Sequence, residues 1–191
     1  MKETSWVKDI LQPSIQKIVS AMGDESLQVL TRKKLPYAGC VTRYEKNNKP
    51  SELEMQSYET DILITETFSN LSWCPRVLIE TKLETITTHD AISFGQKACT
   101  HKNIHPYLRY GVLLGAFEGP VPGHLVVHGG HFDFMMVWQK SSPNTQETEQ
   151  IINIIRSEIE ASRQTEDLIR TRRTKDKKHV YSLQRRLEIK N

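Results

Sequence analysis

The chain has 191 residues, with 26 Lys and Arg against 23 Asp and Glu, a net charge of +3 and a mean hydropathy of −0.52. That length supports a single domain with an appendage and a sizeable buried core. No apolar run approaches the ~18 residues of a membrane span. The first ten residues carry Glu3 and Asp9 rather than an apolar leader, so a cytoplasmic protein is expected, neither embedded in a membrane nor secreted.

The opening segment reads as a helix. Thr4 or Ser5 supplies a cap, and Trp6, Ile10, Ile15, Ile18, Val19 and Met22 lie near one face, with Pro13 and Gly23 interrupting. Asp24 is placed to cap a further helical turn or two over Glu25 to Lys34, ended by Pro36. A strand-rich stretch follows. Cys40 to Glu45 is short and mixed, Lys46 to Ser51 is a turn by composition, and Tyr58 to Thr65 alternates like a strand. Arg76 to Leu83 is a second strong strand after the loop Asn70 to Pro75.

Thr88 to Lys102 reads as a helix capped by Thr87 or Thr88, with Asp90 in its first turn and His105-Pro106 closing it. Tyr110 to Phe117 is an apolar run suited to a buried strand. Two apolar runs flanking Gly129-Gly130 predict a hairpin. Asn144 with Glu147 forms a capping-box signal for a last helix striped by Ile151, Ile152, Ile155 and Ile159. That stripe fits packing on a sheet or pairing of two subunits. The order predicts an α/β architecture, a mixed sheet with helices for both faces.

Two strands carry charges where strands rarely do. Asp61 sits in YETDILIT, with Glu59 two residues before it, and Glu80 and Lys82 interrupt RVLIETKL. Residues i and i+2 share a strand face, so Glu80 and Lys82 point the same way. Pairing the two strands brings Asp61, Glu80 and Lys82 to one sheet edge. Carboxylates so placed suit a hard divalent cation, which needs only one or two of them and retains waters. A neighbouring lysine neutralises charge on a transferring phosphoryl group.

Asp61, eighteen residues, then Glu80-Thr81-Lys82 resembles the PD-(D/E)xK nuclease superfamily, with its restriction-endonuclease-like three-layer core. The order helix, three strands, helix, strand from about 23 to 117 matches that family's motif core. Thr60 stands where the family often has proline. The resemblance implies Asp61 and Glu80 as ligands of Mg²⁺, with Mn²⁺ able to substitute. The Thr81 backbone carbonyl would be a third ligand and Lys82 the catalytic lysine. Glu25 is the candidate for an accessory glutamate from the preceding helix. Gln96, followed by Thr100 rather than tyrosine, is a candidate accessory residue on the next helix.

The implied activity is endonucleolytic hydrolysis of double-stranded DNA leaving 5′-phosphate ends, most simply by a stand-alone type II restriction-like enzyme. A homodimer follows, because two strands need two active sites. A repair, recombination or other defence nuclease on structured or single-stranded substrate is the alternative, and a non-catalytic DNA-binding protein on this fold is a second. Arg43, Lys46, Asn47, Asn48 and Lys49 in the first hairpin are expected DNA contacts.

The nuclease-like domain is expected over residues 1–162. From 163 to 191 a basic helical extension carries ten Lys and Arg against four acids. Within it, Arg172, Arg173, Lys175, Lys177 and Lys178 suit phosphate contacts. Other clusters are less specific. His124, His128, His131 and Asp133 have spacing that could ligate zinc, although facing histidines on an ordinary hairpin explain them as well. His101 and His105 could share a helix face. Cys40, Cys74 and Cys99 are odd in number and form no CxxC, which fits three reduced thiols. No P-loop or dinucleotide fingerprint is present, so no nucleotide cofactor is expected.

Overall fold

A computed structural model of the chain describes residues 1–170. Its centre is a five-stranded mixed sheet ordered β1–β4–β5–β6–β7, built from Leu27–Leu30, Ile62–Thr67, Trp73–Leu83, Arg109–Gly115 and Phe134–Val137. The first three of these run antiparallel to their neighbours, while β5, β6 and β7 are parallel. A separate two-stranded hairpin, β2 (Lys34–Tyr44) and β3 (Pro50–Glu59), is inserted between β1 and β4.

Helices cover both sheet faces. On one face, α1 (Glu3–Trp6) and α2 (Gln12–Ser20) join through a π-helical segment, Val7–Leu11, and the last helix, α5 (Thr145–Arg170), lies on the same side. Trp6, Leu11, Ile15, Ile151 and Ile155 pack there against Ile62, Ile64, Val77 and Ile79. The isoleucine stripe of α5 thus serves the sheet. On the other face, α3 (Thr88–Ile104) and α4 (Gly123–His128) set Ala91, Phe94, Ala98 and Leu125 against Leu63, Leu78, Tyr110, Val112 and Leu114. The strands β4 and β5 are buried on both sides, which explains their runs of Ile, Leu and Val.

Several expectations hold at the level of local chemistry. Thr87 and Asp90 form a reciprocal capping box on α3, and Asn144 and Glu147 exchange the same pair of bonds before α5. Pro13 falls in the first turn of α2, where its missing N–H costs little. The first helix begins at Glu3 with Lys2 at its N-cap and no side-chain cap, so neither Thr4 nor Ser5 plays that part.

Other expectations are corrected. The helix expected over Glu25 to Lys34 is strand β1. Asp24 turns the chain into it, its Oδ1 accepting from the Ser26 amide at 3.1 Å and hydroxyl at 2.6 Å. Asx turns of this kind compete with helix initiation. Pro36 lies inside β2 at a register shift of the two-stranded hairpin, where a missing donor is tolerated. The expected strand Tyr58 to Thr65 is cut in two. Thr60 leaves the sheet by donating its amide and hydroxyl to the Lys33 carbonyl. Glu59 consequently belongs to the hairpin and pairs with Arg32, not with Asp61.

The hairpin expected at Gly129-Gly130 is replaced by helix α4 and a loop. The strand β7 is parallel to β6, and parallel neighbours require a crossover rather than a tight turn. Gly129 instead caps α4, lying so close to the Leu125 carbonyl that a side chain has no room. The division expected at residue 162 falls within α5. The residues Arg172, Arg173, Lys175, Lys177 and Lys178 lie outside the described residues.

Candidate active site

The antiparallel ladder between β4 and β5 begins at Ile62 opposite Ile79. Asp61, one residue before it, therefore sits in a bend beside Glu80 and Thr81 on β5. Its Oδ2 accepts from the Thr81 amide at 2.9 Å and from the Thr81 hydroxyl at 3.0 Å, continuing the ladder by side chain where the backbone has left it. Its Oδ1 has no hydrogen-bond partner among the described residues. In an extended strand the amide and carbonyl of one residue face the same side, so the Thr81 carbonyl also faces Asp61.

Glu80 is buried, only 3% exposed. The Tyr110 hydroxyl donates to its Oε1 at 2.8 Å, and the Lys97 ammonium reaches both carboxylate oxygens at 3.2 Å. Burial and the neighbouring Asp61 charge raise the Glu80 pKa, against the opposing pull of Lys97 and Tyr110. A buried carboxylate next to a second one is costly without a cation, and Lys97 supplies one.

Lys82 shares its strand side with Glu80 but turns to α3 and to the N-terminal helix. Its Nζ lies 3.1 Å from Asp90 Oδ1 and 3.8 Å from Glu3 Oε2. Burial alone would lower its pKa. The Asp90 hydrogen bond, then the charges of Glu3, Asp90 and Asp61, outweigh that and raise it. That direction favours the charged ammonium form of Lys82.

The cluster Asp61, Glu80, Thr81 and Lys82 is thus gathered at the carboxyl end of β5, the sheet edge where open α/β folds place their ligands. Two carboxylates and a main-chain carbonyl make an oxygen donor set suited to a hard divalent cation. Among the described residues no three His, Cys, Asp or Glu side chains converge on a metal position. Mg²⁺ does not require three, since waters complete its shell.

Two expected accessory residues are elsewhere. Glu25 is exposed in the turn before β1, at the Leu27 end that pairs with Glu66, the opposite end of the sheet. The glutamate the first helix does bring to the cluster is Glu3. Gln96 is exposed on α3, and the residue of that helix that reaches Glu80 is its neighbour Lys97. Sequence reading missed Lys97, Tyr110, Glu3 and the second role of Asp90. Asp90 is signalled only as a cap, and no local pattern marks the others as partners of a strand 17 or more residues away.

The hairpin carries Arg43, Lys46, Asn47, Asn48 and Lys49 at its exposed end. Arg43 pairs with Glu52 at 2.7 Å, and Asn47 closes the turn by accepting from the Lys49 amide at 2.9 Å. The hairpin root is fixed by Tyr37 stacked on Tyr58, centroids 3.8 Å apart, with His101 of α3 edge-on to both. His101 is buried and His105 half-buried, and desolvation lowers the pKa of both. The other histidine group does not assemble. His124 and His128 lie on α4, and Asp133 is committed to the Tyr110 amide, Lys102 and Arg109.

At the far end of the sheet a cavity of about 560 Å³ opens between β4, β5 and α5. Its charges are largely spent on each other. Arg76 binds Glu66 and Glu166, Arg163 binds Glu66 and Asp24, and Arg170 binds Glu166. No described helix is long and apolar enough to cross a membrane. A scan against protein-family models finds no match for this chain, and a search of the curated proteins finds no relative.

Proposed function

We propose that this chain is a divalent-metal-dependent endonuclease of the PD-(D/E)xK class, acting on double-stranded DNA. One observation carries the reading: Asp61 leaves the sheet beside Glu80-Thr81, with Lys82 on the same edge. The order of elements agrees with that family's core. Helix α2, the antiparallel set β1–β4–β5, helix α3 and the parallel strand β6 follow in sequence, with the hairpin β2–β3 as an insertion.

The residues present fit Mg²⁺ or Mn²⁺. Asp61 Oδ1, the Glu80 carboxylate and the Thr81 carbonyl would hold the ion. A divalent ion held there lowers the pKa of water and stabilises charge growing on the phosphoryl oxygens. Asp61 is fixed by Thr81, and Glu80 by Tyr110, so both carboxylates are oriented before substrate arrives. Lys82 contributes positive charge at the scissile phosphate, and Asp90 and Glu3 keep it protonated for that purpose. The hairpin end contributes phosphate contacts through Lys46 and Lys49. A homodimer would present two such sites to the two strands. The reading takes the form of a type II restriction-like enzyme.

The test is incubation of wild type and Lys82→Ala with plasmid and phage DNA, in Mg²⁺ or EDTA. Discrete fragments from wild type alone, lost with EDTA, are expected. Nicking or a smear would move the reading to a repair or nonspecific nuclease. Tight DNA binding without cleavage would move it to a non-catalytic DNA-binding protein.

A further inference from the structure

We propose that Lys97 is a resident counter-ion of the site, which occupies Glu80 in the metal-free protein and competes with divalent metal for it. This rests on the metal-dependent reading above. Four observations support it. The Lys97 ammonium reaches both oxygens of Glu80 at 3.2 Å, the symmetric position a cation takes on a carboxylate. It lies 5.6 Å from the Tyr58 ring centre and 5.5 Å from that of Phe94, so two aromatic faces complete a cation-holding niche. The Glu80 side chain is 4% exposed, which makes a partner obligatory, whereas Lys97 is 27% exposed. Its four-carbon stem can therefore carry the charge outward when Glu80 is taken by another cation. Finally, Tyr58 is clamped by stacking on Tyr37 and α3 is capped at Thr87, so the niche is built into the fold rather than into a loose loop.

A competing lysine and a merely structural one make opposite predictions. If Lys97 only supports the fold, any substitution loosens Glu80 and weakens metal binding. If it competes, removing its charge strengthens metal binding. Arginine should weaken binding, because its fork grips a carboxylate with two parallel bonds and never deprotonates.

The experiment is calorimetric titration of the full chain with Mn²⁺ in the absence of DNA, for wild type, Lys97→Met, Lys97→Arg and Glu80→Gln. Circular dichroism checks that each is folded. Lys97→Met is expected to bind Mn²⁺ roughly tenfold tighter than wild type, Lys97→Arg several-fold weaker, and Glu80→Gln not measurably. Equal or weaker binding by Lys97→Met, with wild type binding normally, overturns the competition and leaves the metal reading standing. If Lys97→Met does not fold, equal or tighter binding by Lys97→Arg overturns it. Absence of binding in every variant overturns the metal reading, and the competition with it.

Discussion

Asp61 and Thr81 are joined twice: one carboxylate oxygen of Asp61 receives both the amide and the hydroxyl of Thr81. The contact does two jobs. It supplies an acceptor for the β5 amide just where β4 has ended, and it leaves the second oxygen of Asp61 without a hydrogen-bond partner among the described residues. A break in the sheet thereby becomes a fixed carboxylate beside Glu80.

Thr81→Val tests that contact. Valine keeps the shape of this fully buried side chain but removes the hydroxyl donor. The amide bond remains, so a loss of about 1.5 kcal/mol is expected, the low end for a hydrogen bond to a charged group. Urea denaturation measures it. Under the proposed function, cleavage falls about tenfold as Asp61 loosens, since displaced groups lose rate steeply. Unchanged stability and cleavage would show that the amide alone fixes Asp61.

Asp90 links helix capping to the site lysine. Burial alone would raise its carboxyl pKa, but the Thr87 hydroxyl and amide, then Lys82, hold it low. Asp90→Asn keeps an acceptor for the cap and removes the charge, whereas Asp90→Ala removes both. The alanine variant should lose ~1 kcal/mol of stability, a typical capping loss. The asparagine variant should lose less. Both should impair DNA cleavage similarly if the role of Asp90 toward Lys82 is electrostatic. Cleavage that tracks stability instead would reduce Asp90 to a cap.

What was legible in the sequence follows a physical divide. The long apolar runs at Ile62–Ile64, Val77–Ile79 and Val112–Leu114 are continuous because those strands are covered on both faces, and they mark β4, β5 and β6 clearly. The caps Thr87/Asp90 and Asn144/Glu147 are local chemistry and were equally plain. The strand β1 has four residues, too few to display alternation against the neighbouring Asp24 signal. The parallel placement of β7 depends on what it pairs with, which the Gly-Gly pair does not encode. At the site, Asp61, Glu80 and Lys82 stood out as charges among apolar residues. Lys97 and Tyr110 did not, because an ordinary helical lysine and a strand tyrosine acquire their meaning only from a partner on another element.

Arg76 tests the far end of the sheet. It is 2% exposed and binds Glu66 and Glu166, which ties β5 to β4 and to α5. Burial alone would lower its pKa, and its acidic partners keep it fully charged. Arg76→Leu leaves two shielded carboxylates without this partner, and breaking a buried pair in this way costs about 3–5 kcal/mol. For a chain of this size that corresponds to a fall in Tm of roughly 10 °C. Differential scanning calorimetry checks it. A fall of only a degree or two would show that Arg163, Arg170 and solvent, rather than Arg76, carry the charge of Glu66 and Glu166.

His101 gives the fold an acid-sensitive point. Its ring is fully buried beneath Tyr37 and Tyr58, and Nδ1 lies 3.0 Å from the Pro36 carbonyl. Desolvation lowers its pKa from 6.5 to about 4, outweighing the Pro36 bond, with His105 and Lys97 adding in the same direction. Between those values the unfolded chain takes up a proton that the folded chain refuses. Stability is therefore unaffected above pH 6.5 and falls as pH drops toward 4, by on the order of 3 kcal/mol. His105 is shifted the same way and steepens the loss. The low carboxyls Asp24 and Asp90 act in a more acid range, below their ordinary pKa near 3.8. Urea denaturation of wild type and His101→Gln at pH 7.5, 6.5, 5.5 and 4.5 separates the terms. The wild type should lose stability through this window, and the variant should show a clearly shallower slope, whatever its absolute stability. Parallel slopes would mean that His101 accepts its proton without unfolding the hairpin root from α3.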